Sequence, residues 1–175
     1  MNESPATIRL YGMVNDSIVD GQGYRFAVFT QGCPHHCEGC HNPESHDPAG
    51  GTVYTLDEVE KRFSGNPLLD GITLSGGEPF MQPAACAELA RRAHGKGLTV
   101  WTFTGGLLEN HQATAKDDPA VKALLEETDV LVDGPFLLSQ RSLDLLYCGS
   151  KNQRIIDMNK TRQAGTVVLW QPPEW

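Results

Sequence analysis

The chain has 175 residues, which suits one compact domain, and 39% of them are apolar, enough for a real core. Its 14 basic and 22 acidic residues leave a net charge of −8, which argues against a broad nucleic-acid interface, because phosphate contacts demand a basic surface. No apolar run approaches the ~20 residues that span a bilayer, and MNESPATIRLYG at the amino terminus has neither the basic nor the apolar region of a signal peptide. The expectation is a cytoplasmic protein without a membrane or nucleic-acid partner, folded as a single domain over 1–175 with a tail at about 171–175.

RFAVFT (25–30) is apolar and β-prone and reads as a strand running into the loop TQGCPHHCEGCHN (30–42). TLDEVEKRF (55–63) reads as a helix: Thr55 and Glu58 have capping-box spacing, and Leu56, Val59 and Phe63 share a face. GITLS (71–75) is a short strand ending in SGGEP. Pro83 to His94 reads as a helix with Cys86, Leu89, Ala90 and Ala93 as its apolar stripe, stopped by GKG. LTVWTF (98–103), closed by TGG, is the next strand; a helix through Ala120–Glu127 and the strand DVLVD (129–133), closed by GP, follow. RIIDM (154–158) and TVVLW (166–170) are the last strand candidates.

Strands alternating with helices imply an α/β fold with a mostly parallel sheet. An eightfold barrel needs ~250 residues, so the expectation is an open, partial (β/α) barrel. Ligands in such folds gather beyond the carboxyl ends of the strands, where the cysteine loop, SGGEP, TGG, DGP and GSKNQR would meet.

Cys33, Cys37 and Cys40 are three of five cysteines and fall within eight residues. In a reducing compartment such a C-x3-C-x2-C loop points to a metal site rather than to disulfides. Thiolates suit iron–sulfur clusters and zinc, and one tight loop can place three of them on three corners of a cubic 4Fe–4S cluster. From the spacing alone Cys86 and Cys148 remain open as a fourth ligand. So does a Cys3His zinc site completed by His35, His36, His41 or His46, although no second ligand pair of zinc-knuckle spacing is present.

The C-x3-C-x2-C loop after an early strand, followed by GGE at the next strand's end, resembles the radical S-adenosyl-L-methionine (SAM) superfamily. DGQGYR (20–25), VFTQGCPHHCEGCHNPE, GITLSGGEPF, VLVDGPF and GSKNQRIID, in that order from about residue 12 to 158, resemble the activating enzymes of anaerobic (class III) ribonucleoside-triphosphate reductases. The resemblance implies a truncated radical SAM core. Cys33, Cys37 and Cys40 would hold a 4Fe–4S cluster, and SAM would chelate the fourth iron. A 5′-deoxyadenosyl radical would take hydrogen from a glycine of the reductase, with a low-potential donor such as flavodoxin or ferredoxin supplying the electron.

The same resemblance implies further SAM contacts. Gly39, Cys40 and His41 would lie by the adenine; Gly39 stands where many superfamily members carry an aromatic, a departure typical of the reductase activators. Ser75, Gly76, Gly77 and Glu78 would meet the methionine ammonium, and Thr102 or Thr104 the ribose. Asp133, Asn152 and Arg154 would face SAM or the partner, with Arg25 and Arg154 as carboxylate partners. His35 and His36 read as solvent-facing. The competing readings are an activator of another glycyl-radical enzyme, such as pyruvate formate-lyase, a small-molecule radical SAM enzyme, and a non-catalytic zinc module.

Overall fold

The computed structural model describes residues 6–35, 46–142 and 144–172. Their seven strands form one open sheet in the order β3-β1-β2-β4-β5-β6-β7. The strands are β1 (Thr7–Ser17), β2 (Arg25–Thr30), β3 (Thr52–Thr55), β4 (Gly71–Gly76), β5 (Thr99–Phe103), β6 (Val130–Asp133) and β7 (Arg154–Asp157). β2, β4, β5 and β6 run parallel. β1 and β3 extend one side and β7 the other, all antiparallel to their neighbours. The sheet is therefore a mostly parallel α/β core that stays open, as expected, with antiparallel strands at its flanks.

The helices are α1 (Leu56–Ser64), α2 (Pro83–His94), α3 (Leu108–Ala115), α4 (Pro119–Glu127) and α5 (Met158–Ala164). α1 begins with the expected capping box, in which Thr55 Oγ1 accepts from the Glu58 amide and Glu58 Oε2 from the Thr55 amide; such a cap contributes about 1 kcal/mol. Its buried Leu56, Val59 and Phe63 join Phe26, Val28, Ile72, Leu74 and the α2 stripe in the main core. Each such side chain adds roughly 1.5–3 kcal/mol by leaving water. Val100 and Leu124 complete that core, while Leu108, Val121, Leu125, Leu131, Ile156 and Met158 continue it under α3 to α5. The opposite face of the sheet carries Trp101, Val130 and Val132, packed against Tyr147 and Trp170.

TVVLW does not form a full strand. Leu169 makes one bridge with Ile156, and Trp170 donates its amide to Ile155. Among the described residues no helix is long and apolar enough to cross a membrane.

Candidate metal and cofactor site

Pairing of Thr30 with Gly76, Leu74 with Thr102 and Phe103 with Val132 brings the carboxyl ends of the four parallel strands to one rim. Cys33 follows β2 there and is buried; its amide donates to the His46 carbonyl at 3.1 Å, tying together the two described ends of the cysteine loop. Cys37, Cys40, Gly39, His36 and His41 lie outside the described residues.

The glycine turn after β4 is laced to this loop. The Gly77 amide donates to Thr30 O and the Glu78 amide to Gly32 O, both at 2.7 Å. Gly76 holds φ at +96°, and a Cβ there would stand 2.3 Å from the Thr30 nitrogen, so only glycine fits.

A cleft of about 130 Å³ opens between these segments. Cys33 and His35 form one wall, and Ser75, Gly76 and Gly77 the next. Phe103, Thr104 and Gly105 close it from β5, with Gly134, Phe136 and Gln153 opposite. Ser75, Phe103, Phe136 and Gln153 also line an adjoining trough of about 570 Å³. Its outer lip carries Ile18, Val19 and Leu146, all exposed.

Glu78 is buried beside the cleft and joins its walls. Oε1 accepts from His35 Nε2 (2.6 Å), Thr104 Oγ1 (2.8 Å) and the Gly105 amide (2.9 Å), and Oε2 accepts from the Phe80 amide (3.2 Å). His35 is exposed, as expected, but its side chain, 28% exposed, turns to Glu78, and that hydrogen bond raises its pKa above the ordinary value. With four donors on its two oxygens, Glu78 organises the site as a junction between segments.

The two threonines of TFTGG separate. Thr104 lines the cleft, whereas Thr102 lies on the helix side, its hydroxyl 3.0 Å from that of Thr128. β5 ends at Phe103, so strand alternation no longer governs Thr104, and the expectation of Thr102 at a ribose is corrected. The glycines leave room for rings: a Cβ on Gly105 would lie 2.6 Å from the His35 ring, and one on Gly106 2.7 Å from His111. His111, in the first turn of α3, stacks on Phe80 with centroids 3.8 Å apart and sits 2.9 Å from Thr104 Oγ1. Sequence reading missed it; a histidine one turn into a helix that starts just after TGG was the available signal.

Asp133 and Arg154 face each other rather than the cleft. Arg154 Nε and Nη2 donate to the fully buried Asp133 carboxylate at 2.9 and 2.5 Å, and the guanidinium also grips Glu109. Asn152 donates to Pro135 O, and Gln153 holds Gly134 O and the Gly149 and Ser150 amides. GSKNQR thus pins the DGP turn, and of its polar residues Gln153 reaches the cleft. Arg25 lies at the amino end of the strands, five residues and about 16 Å along β2 from the rim; its place as a carboxylate partner is corrected.

The donor set suits a cluster at the cysteine loop. Cys86 is enclosed in the core, and burial pushes its thiol pKa up. Cys148 sits on the trough wall, where burial pushes its thiol up to about 11. Neither of them lines the cleft that Cys33 lines. Cys33 stands instead at the head of the loop that also carries Cys37 and Cys40, and Gly76 and Gly77 of the turn beside it line the same cleft.

Residues 19–156 match the 4Fe-4S single cluster domain family. The chain is 36% identical over 149 residues to the anaerobic ribonucleoside-triphosphate reductase-activating protein of Vibrio cholerae, spanning 79% of this chain and 90% of that one. The chain belongs to this 4Fe-4S family of reductase-activating proteins. Another member, from Haemophilus influenzae, is 31% identical over 148 residues at the same coverages. The pyruvate formate-lyase 1-activating enzyme of Escherichia coli K12 is 29% identical over 168 residues, 93% of this chain but 65% of that enzyme. In this 4Fe-4S domain the family match runs from the β1–β2 turn through β7, and so encloses every wall of the cleft.

Proposed function

We propose that the chain is a radical SAM enzyme that activates an anaerobic ribonucleoside-triphosphate reductase in the cytoplasm by forming a glycyl radical on it. When bound, a reduced 4Fe–4S cluster would supply one electron to the sulfonium of SAM, whose C–S cleavage would give methionine and a 5′-deoxyadenosyl radical able to take a hydrogen atom from a glycine Cα. Cys33, Cys37 and Cys40 hold the cluster, and the electron comes from a low-potential flavodoxin- or ferredoxin-type donor. The observation that carries the reading is the single cleft shared by Cys33 and the Ser75–Gly77 turn.

The residues present divide the remaining work. Gly76 and Gly77 bring backbone groups against the cofactor, and Glu78 keeps that turn and the cysteine loop in register. Phe103, Phe136 and Val132 give the cleft its apolar walls. The trough beside it, with Ile18, Val19 and Leu146 at its lip, is open enough to admit a polypeptide segment. Coverage favours a reductase over pyruvate formate-lyase as partner, since the alignment takes in 90% of the reductase activator and 65% of the other.

The test is to mix the anaerobically reconstituted chain, reductant and SAM with a class III reductase, and separately with pyruvate formate-lyase, and to record electron paramagnetic resonance. A glycyl radical on the reductase alone is expected. A colourless chain holding one zinc and no labile sulfide would overturn the reading.

A further inference from the structure

We infer that His111 is a positioning residue for the cysteine loop, acting through Thr104 and Glu78. The inference rests on the reading of Cys33, Cys37 and Cys40 as the cluster loop. Four contacts close a ring. The Phe80 amide donates to Glu78 Oε2 at 3.2 Å, and the Phe80 and His111 rings stack 14° from parallel. His111 Nε2 lies 2.9 Å from Thr104 Oγ1, which lies 2.8 Å from Glu78 Oε1.

The direction of each hydrogen bond in the ring follows from counting protons. Glu78 Oε1 meets two groups that donate to it, the Gly105 amide and His35 Nε2, and accepts from Thr104 as well. Thr104 has one hydroxyl proton, and it points at Glu78. Toward His111 and the Gly106 amide the same oxygen can only accept. His111 must therefore carry its proton on Nε2. Burial lowers the His111 pKa, which keeps the ring neutral near pH 7 and leaves it a single N–H to place.

The bond from His111 thus holds the Thr104 hydroxyl aimed at Glu78, and Glu78 takes His35, two residues from Cys33. A chain of donors runs from α3, past the ends of β5 and β4, to the start of the cysteine loop. Gly106 belongs to the device, because a Cβ there would lie 2.7 Å from His111 Nε2. The stack on Phe80 holds the ring plane; the Nε2 proton transmits the position.

Two substitutions separate these roles. His111→Phe keeps the stack and removes the donor. His111→Gln loses the ring, but its amide nitrogen reaches the place of Nε2. Hydrogen exchange at the hydrogen-bonded amides of Cys33 and Gly105 is measured on the cluster-free full chain, and iron loss to a chelator on the reconstituted protein. One hydrogen bond is worth about three- to tenfold in such an opening equilibrium. His111→Phe should speed both by about that factor, and His111→Gln should stay within about twofold of the parent. Equal rates in all three, or a fast Gln and a slow Phe, overturn the inference. Should His111→Phe fail to fold, Thr104→Ser against Thr104→Val asks the same question: Ser should behave as the parent and Val as the fast variant, and a slow Val overturns it. A parent chain that takes up no iron or sulfide sinks the cluster reading instead, while the exchange rates, which need no cluster, still decide His111.

Discussion

Arg154 Nη2 lies 2.5 Å from Asp133 Oδ2, and Nε lies 2.9 Å from Oδ1, a two-pronged pair across the antiparallel β6–β7 ladder. Asp133 is fully buried and also accepts the Leu108 amide at 2.8 Å, so one carboxylate fixes both β7 and the first turn of α3. Asp133→Asn should lower stability by about 2–3 kcal/mol, since the amide keeps one acceptor oxygen for three donors, loses the charge that pairs with Arg154, and turns an N–H toward a donor. A urea midpoint measures it. SAM affinity of the folded variant should stay near the parent; a tenfold loss of affinity with stability intact would show that the pair serves the cofactor directly.

Gly76→Ala should be among the most damaging single changes. It combines a left-handed φ of +96° with a Cβ 2.3 Å from the backbone nitrogen of Thr30, and backbone cannot swing aside. The cost should be about 2 kcal/mol or more. Because the strain falls on the turn that lines the cleft, SAM binding by calorimetry should be lost even where circular dichroism reports a folded chain.

Much of this arrangement is legible in the sequence because its signals are local. The capping box of α1, Pro83 opening α2, and the buried β2 and β4 runs all state their own structure. What escapes is set by tertiary context. β1 carries Asn15 and Asp16, poor strand formers, and much of its second half is exposed. β3 is four mostly exposed residues, which form a strand because β1 offers them an edge. α3 buries a single residue, Leu108, and so shows no apolar stripe to read. At the site, chemistry-bearing residue types can be read off the chain, but not which of them face one another. Arg154 reads as a partner for a ligand carboxylate, yet Asp133 and Glu109 occupy its guanidinium, and Glu78 reads as a contact for the ammonium, yet four donors meet its two oxygens.

Arg25 makes a test of structure against ligand binding. It is buried, and its five N–H groups meet Thr73 Oγ1, Gln22 O, Thr99 Oγ1, Ile72 O and Thr99 O. Its carbon also sits 5.7 Å over Trp101. Burial lowers its pKa to about 10, still high enough to remain charged at pH 7. Lysine has three donors for these five acceptors, so Arg25→Lys should cost about 2–4 kcal/mol. The thermal midpoint should fall while SAM affinity below it is unchanged.

His94 gives stability a pH dependence. Its Nδ1 donates to Glu127 and its Nε2 to Asp129, at 2.7 and 2.8 Å, joining the end of α2 to the entry of β6. Burial pulls its pKa down, but the bonds to Asp129 and Glu127 outweigh burial and the net shift is upward. The folded state therefore binds the proton more tightly than the unfolded chain. The gain is fully present below the unfolded value of about 6.5 and fades as pH rises through the raised folded value. Because the ring is a third exposed, it amounts to about 0.5–1 kcal/mol. His94→Gln should lower the urea midpoint at pH 5.5 more than at pH 8.5; equal deficits would show that the bridge carries no linked proton.

The cysteines divide most sharply. Cys86 is fully buried among Ile72, Leu89 and Ala90, so Cys86→Ala should cost roughly 1 kcal/mol of packing and leave iron content unchanged. Cys148 lines the trough and not the cleft that Cys33 lines, so Cys148→Ala should also keep the iron. Cys33→Ala should abolish cluster uptake with little loss of stability, because the amide that ties Cys33 to His46 is backbone and survives the change. Iron and labile sulfide per chain after anaerobic reconstitution, read beside the thermal midpoint, separate the three. A Cys148→Ala protein without iron would mean that four thiols close the cluster, leaving no iron for SAM to chelate.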